Sequence, residues 1–252
     1  MARPGRKKRT ALFIVEIICL LLFIGGLYVY GQIDSRLNKI ETPQLDESKI
    51  VTNVTAPQMS GYTTYALFGI DQRSKNAALD AQNSDTIIIA SINNDTKEVR
   101  LISVYRDSFL AVDDDDDLRK LNAAYAKGGP TGAVAALNKN LDLDIKEYVA
   151  VDFNAVMEVV DALGGIELDI SSKEAETMKI YINEMNEVMG TNGTAVSGPG
   201  LQTVNGIQAL AYCRDRYSGG DDYGRTERQR TVISKIVEKA KAASLPTLNK
   251  VI

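Results

Sequence analysis

Residues 11–30, ALFIVEIICLLLFIGGLYVY, form an apolar run interrupted only by Glu16. As a helix, such a run spans roughly 30 Å, the thickness of one bilayer hydrocarbon core. Arg3, Arg6, Lys7, Lys8 and Arg9 precede it, and a stretch of mixed charge follows. The positive-inside bias therefore keeps 1–10 as a cytoplasmic basic tail and sends everything after the span outside. A cleaved signal peptide has a shorter apolar region with a small-residue cleavage site after it. The sequence LYVYGQI that ends this run suits cleavage poorly, and Tyr28 and Tyr30 suit an outer membrane interface. The expectation is a single-pass protein of the cell membrane: tail 1–10, transmembrane anchor 11–30, extracytoplasmic stalk 31–60 and folded domain 61–252.

The whole chain of 252 residues has an ordinary globular composition, 44% hydrophobic and 25% charged. Histidine is absent, which excludes Ser-His-Asp and Cys-His catalysis, histidine-ligated zinc and an imidazole base. Chemistry must run on carboxylates, Arg, Lys, hydroxyls and a hard metal. Cys19 falls in the anchor and Cys213 in the domain, so no disulfide framework is expected. A net charge of −4 and a pI near 5.1 lack the basic footprint of a nucleic-acid binder, so no nucleic-acid partner is expected.

From 62 onward strands and helices alternate. The β-branched runs at 64–70, 85–93 and 98–105 read as a strand followed by a hairpin, with NNDTKE as its turn. Residues 121–143 read as helix, Gly-Gly-Pro turn, helix. Strand 147–153, helix 154–165 and strand 166–170 follow. Met178, Ile182, Met185 and Met189 mark a helix over 178–189, GTNGTAVSGPG is a loop, 204–214 is helical, and a long helix starts near Arg225. The expected fold class is α/β, a mixed central sheet flanked by helices.

Four segments carry candidate chemistry. GIDQR (69–73) puts Asp71 and Arg73 at a strand end, where open α/β sheets hold ligands. NSDT (83–86) puts Asp85 at the start of the next strand, and two carboxylates from neighbouring strands can share Mg²⁺. SVYRD (103–107) adds Arg106 and Asp107. YCRDRYSGGDDYGRTERQR (212–230) concentrates Arg214, Arg216, Asp222, Arg225, Arg228 and Gln229; arginine presents a two-pronged donor to phosphate, and residues three and four apart share a helix face. Each segment alone also reads as a solvated turn or surface ion pair. Together they supply two acids for a metal and several arginines for a pyrophosphate, the equipment of phosphoryl transfer.

The set GIDQR, SDT, SVYRD, KLNAAYAKGG, YVAVDF, VDALGGIELDI, ALAYCRDR and DYGRTERQR resembles the LytR–CpsA–Psr family, over roughly 62–240 and in order. The resemblance implies an α/β/α domain and an extracytoplasmic enzyme. It would move a glycopolymer (teichoic acid, capsule or a related polymer) from a polyprenyl-pyrophosphate carrier to peptidoglycan. It implies Mg²⁺ (or Mn²⁺) on Asp71 and Asp85, and pyrophosphate contacts from Arg73, Arg106, Arg214, Arg216, Arg225 and Gln229. Lys120 would be a cleft lysine, Arg106 the chief stabiliser of transition-state charge, and Asp107 or Asp222 the candidate base. The lipid tail would lie against helices 154–163 and 178–189, although ordinary core packing also accounts for the methionines. Tyr105 stands where the family often has Pro, and Asn83 where it often has Arg. The acidic run 113–117 reads as a solvated loop. A pyrophosphatase acting on the same lipid, and a non-enzymatic regulator or lipid-carrier sensor of the cell envelope, are the alternatives.

Overall fold

The computed structural model describes residues 31, 35, 44–50, 61–70, 83–113, 118–244 and 246–248. The anchor, most of the stalk, Asp71, Arg73 and residues 114–117 lie outside the described residues. Among the described residues no helix is long and apolar enough to cross a membrane.

The centre is a four-stranded mixed sheet of order β3-β2-β1-β6: β1 (Tyr62–Ile70), β2 (Ser84–Asn93), β3 (Val99–Ser103) and β6 (Glu147–Val151). β1, β2 and β3 are antiparallel neighbours, and β6 joins β1 in parallel. The expected hairpin is thus present, closed by Asn93, whose side-chain oxygen accepts from the Asp95 and Thr96 amides at 2.9 Å. Ala66, Phe68, Ile70, Ile87 and Ile89 point to one face. There they bury against helix α1 (Asn122–Leu141) through Ala124, Tyr125, Val134 and Leu137. Gly129 leaves helical geometry (φ 59°, ψ −157°) just before Pro130, so the Gly-Gly-Pro segment breaks α1 into two helical pieces at a kink, as the sequence predicts.

A second core lies between β7 (Ile166–Ile170), β8 (Gly200–Val204) and the helices α2 (Phe153–Ala162), α3 (Ser172–Met189), α4 (Gly206–Arg214) and α5 (Asp221–Ala242). Strand 166–170 is not part of the central sheet. Ile166, Leu168 and Ile170 are buried while Glu167 and Asp169 are exposed, and among the described residues β7 pairs with β8 alone as a two-stranded ribbon. Such alternation suits a strand covered on one side. The Met-bearing helix begins at Ser172, two turns earlier than its apolar residues suggest. Ser171 caps it, with its hydroxyl on the Glu174 amide and the Glu174 carboxylate on the Ser171 amide. Met178, Ile182 and Met185 are core residues.

Close approach fixes α4 against α2. A Cβ on Gly206 would collide with the Met157 backbone. The expected α/β class with helix-flanked mixed sheet therefore holds, with β4 (Phe109–Ala111), β5 (Leu118–Lys120) and the β7–β8 ribbon added outside the main sheet.

Candidate active site

The hairpin register builds the cleft. Ile88 pairs with Ser103, and Val104 donates to the Ile87 carbonyl at 2.9 Å. Carrying that register onward sets Arg106 opposite Asp85. Arg106 Nη1 donates to Asp85 Oδ1 at 2.7 Å, both side chains being partly buried. Burial pulls the Arg106 pKa down, but the hydrogen bond and charge of Asp85, with Asp107 and Asp222, outweigh it and hold the pKa above its ordinary value. Asp85 Oδ2 has no partner among the described residues.

β4 and β5 deliver the lysine. Phe109 pairs with Lys120 across this hairpin, and the Asn122 amide bonds the Arg106 carbonyl at 3.0 Å. Lys120 Nζ thereby reaches Asp107 Oδ1 at 2.8 Å, and Arg106 Nε lies 3.6 Å from Asp107 Oδ2. The Lys120 hydrogen bond is the main reason that the Asp107 pKa falls below its ordinary value; burial works against it and Arg106 adds to it. The acidic run is partly engaged rather than wholly solvated: Asp113 pairs with Lys127, and its carbonyl accepts from Lys139 at 3.1 Å.

The first turn of α5 closes the opposite wall. Gly220, at φ 75°, leads into it, and a Cβ on Gly224 would strike the Gly219 carbonyl, so only glycine lets the 215–220 loop fold against the helix. Asp222 Oδ1 lies 3.4 Å from Arg225 Nη2 and 3.9 Å from Arg216 Nε. Arg225 is only 6% exposed, and its Nε has no hydrogen-bond partner among the described residues. Burial, then the neighbouring Arg216 and Arg106 charges, hold its pKa below the ordinary arginine value; Asp222 and Asp85 offset this in part. The guanidinium nevertheless remains protonated. Tyr105, Arg106, Asp107, Ser108, Asp222 and Arg225 line a cleft of about 280 Å³.

Two arginines expected here are turned elsewhere. α4 ends in extended backbone at Asp215 (φ −62°, ψ 123°), which sends Arg214 and Arg216 apart. Arg214 lies over the rings of Phe153 and Tyr181, each 5.3 Å away, and bonds Glu184 at 3.1 Å. It lines a second, narrow crevice with Phe153, Glu184, Met185, Val188 and Met189, of about 10 Å³. Arg228 corrects the expectation of a substrate contact. It is buried, and its Nη2 donates to the Asp215 carbonyl at 2.8 Å and the Gly219 carbonyl at 3.3 Å. Its Nη1 lies 3.5 Å from Glu174. These contacts use Arg228 to hold the loop. Gln229, on the same helix, does not line the cleft. Cys213 packs against the second core, and burial pushes its thiol up to about 12, which removes it as a nucleophile.

Asp215 is the residue that spacing alone did not single out. It is fully buried, with Oδ1 accepting from the Tyr217 and Ser218 amides and Oδ2 from the Thr177 hydroxyl at 2.8 Å. The available signal was its position between two arginines at the end of a helix.

Asp85 suits a hard cation, since only its Oδ1 is engaged among the described residues and it lies beside a cationic cleft. No group of three metal-ligating side chains gathers among the described residues. Asp71, expected as the second ligand, follows Ile70 in sequence, the β1 residue that pairs with Ser84 at the start of β2, and itself lies outside the described residues.

Known proteins resemble this chain in sequence and in fold. The chain is 35% identical over 187 residues to Biofilm regulatory protein A of Streptococcus mutans, covering 69% of this chain and 43% of that protein. It is 30% identical over 239 residues to the polyisoprenyl-teichoic acid–peptidoglycan teichoic acid transferase TagU of Enterococcus faecalis, covering 93% and 72%. The structure of TagT bound to LIIa-WTA superposes with a TM-score of 0.64 at 25% identity, over 81% of this chain and 73% of that one. The LytR_cpsA_psr family profile matches residues 27–252, and the chain belongs to that family.

Proposed function

We propose that this protein is a phosphotransferase that moves a glycopolymer from a polyprenyl-pyrophosphate carrier to peptidoglycan and releases polyprenyl phosphate. The observation that carries this reading is the buried Arg225 guanidinium, crowded by Arg106 and Arg216 in a cleft whose carboxylates offset it only in part. Cations held together in this way are relieved by a polyanion, and arginine matches phosphate oxygens with paired donors. The relative TagU is named a polyisoprenyl-teichoic acid–peptidoglycan teichoic acid transferase, and the TagT structure is of that protein bound to LIIa-WTA.

In this reading the pyrophosphate lies between Arg106 and Arg225, with Arg216 and Lys120 at the rim. An acceptor hydroxyl on peptidoglycan attacks the phosphorus nearer the sugar. A new P–O bond forms, the bond to the bridging oxygen breaks, and polyprenyl phosphate leaves with that oxygen. Asp107 accepts the hydrogen bond of the attacking hydroxyl. Its lowered pKa makes it a weak base, which suits a loose transition state in which proton removal matters less than positioning. Arg106 stabilises the charge that builds on the transferred phosphoryl oxygens.

Mg²⁺ or Mn²⁺ would be held by Asp85 and, from outside the described residues, Asp71, and would supply neutralisation of pyrophosphate charge. Arg73 would add a donor from the same segment. The lipid tail would enter at the crevice beside Arg214, where Met185 and Met189 are adaptable enough to open it. The span at 11–30, with the stalk 31–60, would anchor the domain in the cell membrane with its N-terminus cytoplasmic, within reach of a membrane-borne carrier.

The test is the acceptor dependence of polyprenyl phosphate release by the full chain in detergent with Mg²⁺. Transfer predicts release only when peptidoglycan fragments are present. Equal release with water as acceptor would make the protein a pyrophosphatase, and tight binding without release would make it a carrier sensor.

A further inference from the structure

We propose that Tyr105 and Tyr223 form a platform that stacks on the first sugar attached to the carrier pyrophosphate, and so contribute to the choice of polymer. The proposal rests on the transferase reading above. Tyr105 immediately precedes Arg106 and lines the cleft beside Asp222 and Arg225. Its ring meets that of Tyr223 edge to face, with centroids 5.1 Å apart and planes at 63°. Tyr223 lies between Asp222 and Arg225 in the first turn of α5, yet 75% of its surface is exposed. A large aromatic side chain left open at the rim of a charged cleft has a free face and a fixed orientation, because Tyr105 braces it.

The chemistry selects the ligand. A pyranose carries C–H groups on one face, and these complement the negative face of an aromatic ring. The cleft of about 280 Å³ sits at the low end for a small-molecule site, so a sugar attached to a bound pyrophosphate would extend past its rim. Tyr105 lines the cleft, and Tyr223 packs against it with most of its own surface in solvent. Phosphate contacts from arginine do not discriminate among polymers, whereas ring stacking depends on the sugar's substituents and stereochemistry.

The experiment compares two probes on the full chain in detergent: polyprenyl pyrophosphate, and the same lipid bearing one N-acetylhexosamine. Wild type should favour the sugar-bearing probe. Tyr223→Ala and Tyr105→Ala should reduce that preference by roughly threefold to tenfold, mainly through the sugar-bearing probe, while Tyr223→Phe keeps it. Tyr223 is exposed, so its variants are expected to melt with wild type, and melting is measured alongside. An unchanged preference in both alanine variants overturns the platform, as does an equal loss for both probes. A raised KM for peptidoglycan with donor preference intact assigns the pair to the acceptor and also overturns it. If wild type binds neither probe, the transferase reading itself fails. Wild-type binding of both with no preference sinks only the platform.

Discussion

Arg106 and Asp85 are register partners. The β2–β3 pairing, continued beyond Val104, brings Nη1 to 2.7 Å from Oδ1 and leaves Oδ2 of Asp85 turned to no described neighbour. One carboxylate can therefore hold the arginine and still offer an oxygen to a cation.

Asp85→Asn retains an oxygen for Arg106 but loses the anionic ligand. Mn²⁺ affinity, read from the paramagnetic resonance of free Mn²⁺, should fall at least about tenfold, with the fold intact. Unchanged affinity would remove Asp85 from the metal site.

Arg225→Met replaces a crowded buried cation with an apolar side chain of similar length. The variant should melt no lower than wild type, because a charge held at depressed pKa destabilises the folded state. Added polyprenyl pyrophosphate should raise the wild-type melting temperature and not that of the variant. A lower melting temperature without ligand would show that Arg225 is chiefly structural.

Asp215→Leu leaves the buried Arg228 with Glu174 as its one remaining carboxylate neighbour among the described residues and removes the anchor of the 215–220 loop. It should cost about 3 kcal/mol. Adding Arg228→Met should recover part of that loss, and denaturant unfolding of the four forms gives the coupling directly. Simple additivity would deny that the two residues act as a unit.

Lys120→Met tests the cleft electrostatics by pH. The Asp107 pKa is lowered chiefly by the Lys120 hydrogen bond, so Asp107 stays ionised below the ordinary carboxylate range and loses its role only as pH falls through that lowered value. Without Lys120 the pKa rises, and the acid limb of the kcat/KM profile should move upward toward the usual carboxylate region. An unmoved limb would mean that another group controls it.

Much of this arrangement was legible from local pattern. The β-branched runs and the NNDTKE turn determine the hairpin, and the hairpin determines that Asp85 faces Arg106. The short strands were not legible: β4, β5 and β8 have only three to five residues each, and their pairing depends on tertiary context. That is why Lys120 could be linked to the cleft by resemblance but not by route. Helical spacing put Arg225 and Arg228 on one face of α5, yet could not tell which of them would meet solvent-filled cleft and which the Asp215 and Gly219 carbonyls. The start of α3 was concealed by its polar first turns, although the Ser171–Glu174 capping pair marks it. Strand 166–170 carried its own correction, since a strand that alternates apolar and acidic residues is covered on one face only.

In the proposed reaction the phosphate nearer the sugar travels with the polymer. The most direct measurement is mass spectrometry of peptidoglycan fragments after incubation with lipid-linked glycan, Mg²⁺ and either wild type or Arg106→Ala. The expected fragments are heavier by glycan plus one phosphate in a phosphodiester linkage, with formation slowed about 10²–10³-fold in the variant. Fragments carrying glycan without phosphate, or full activity in Arg106→Ala, would contradict that reaction.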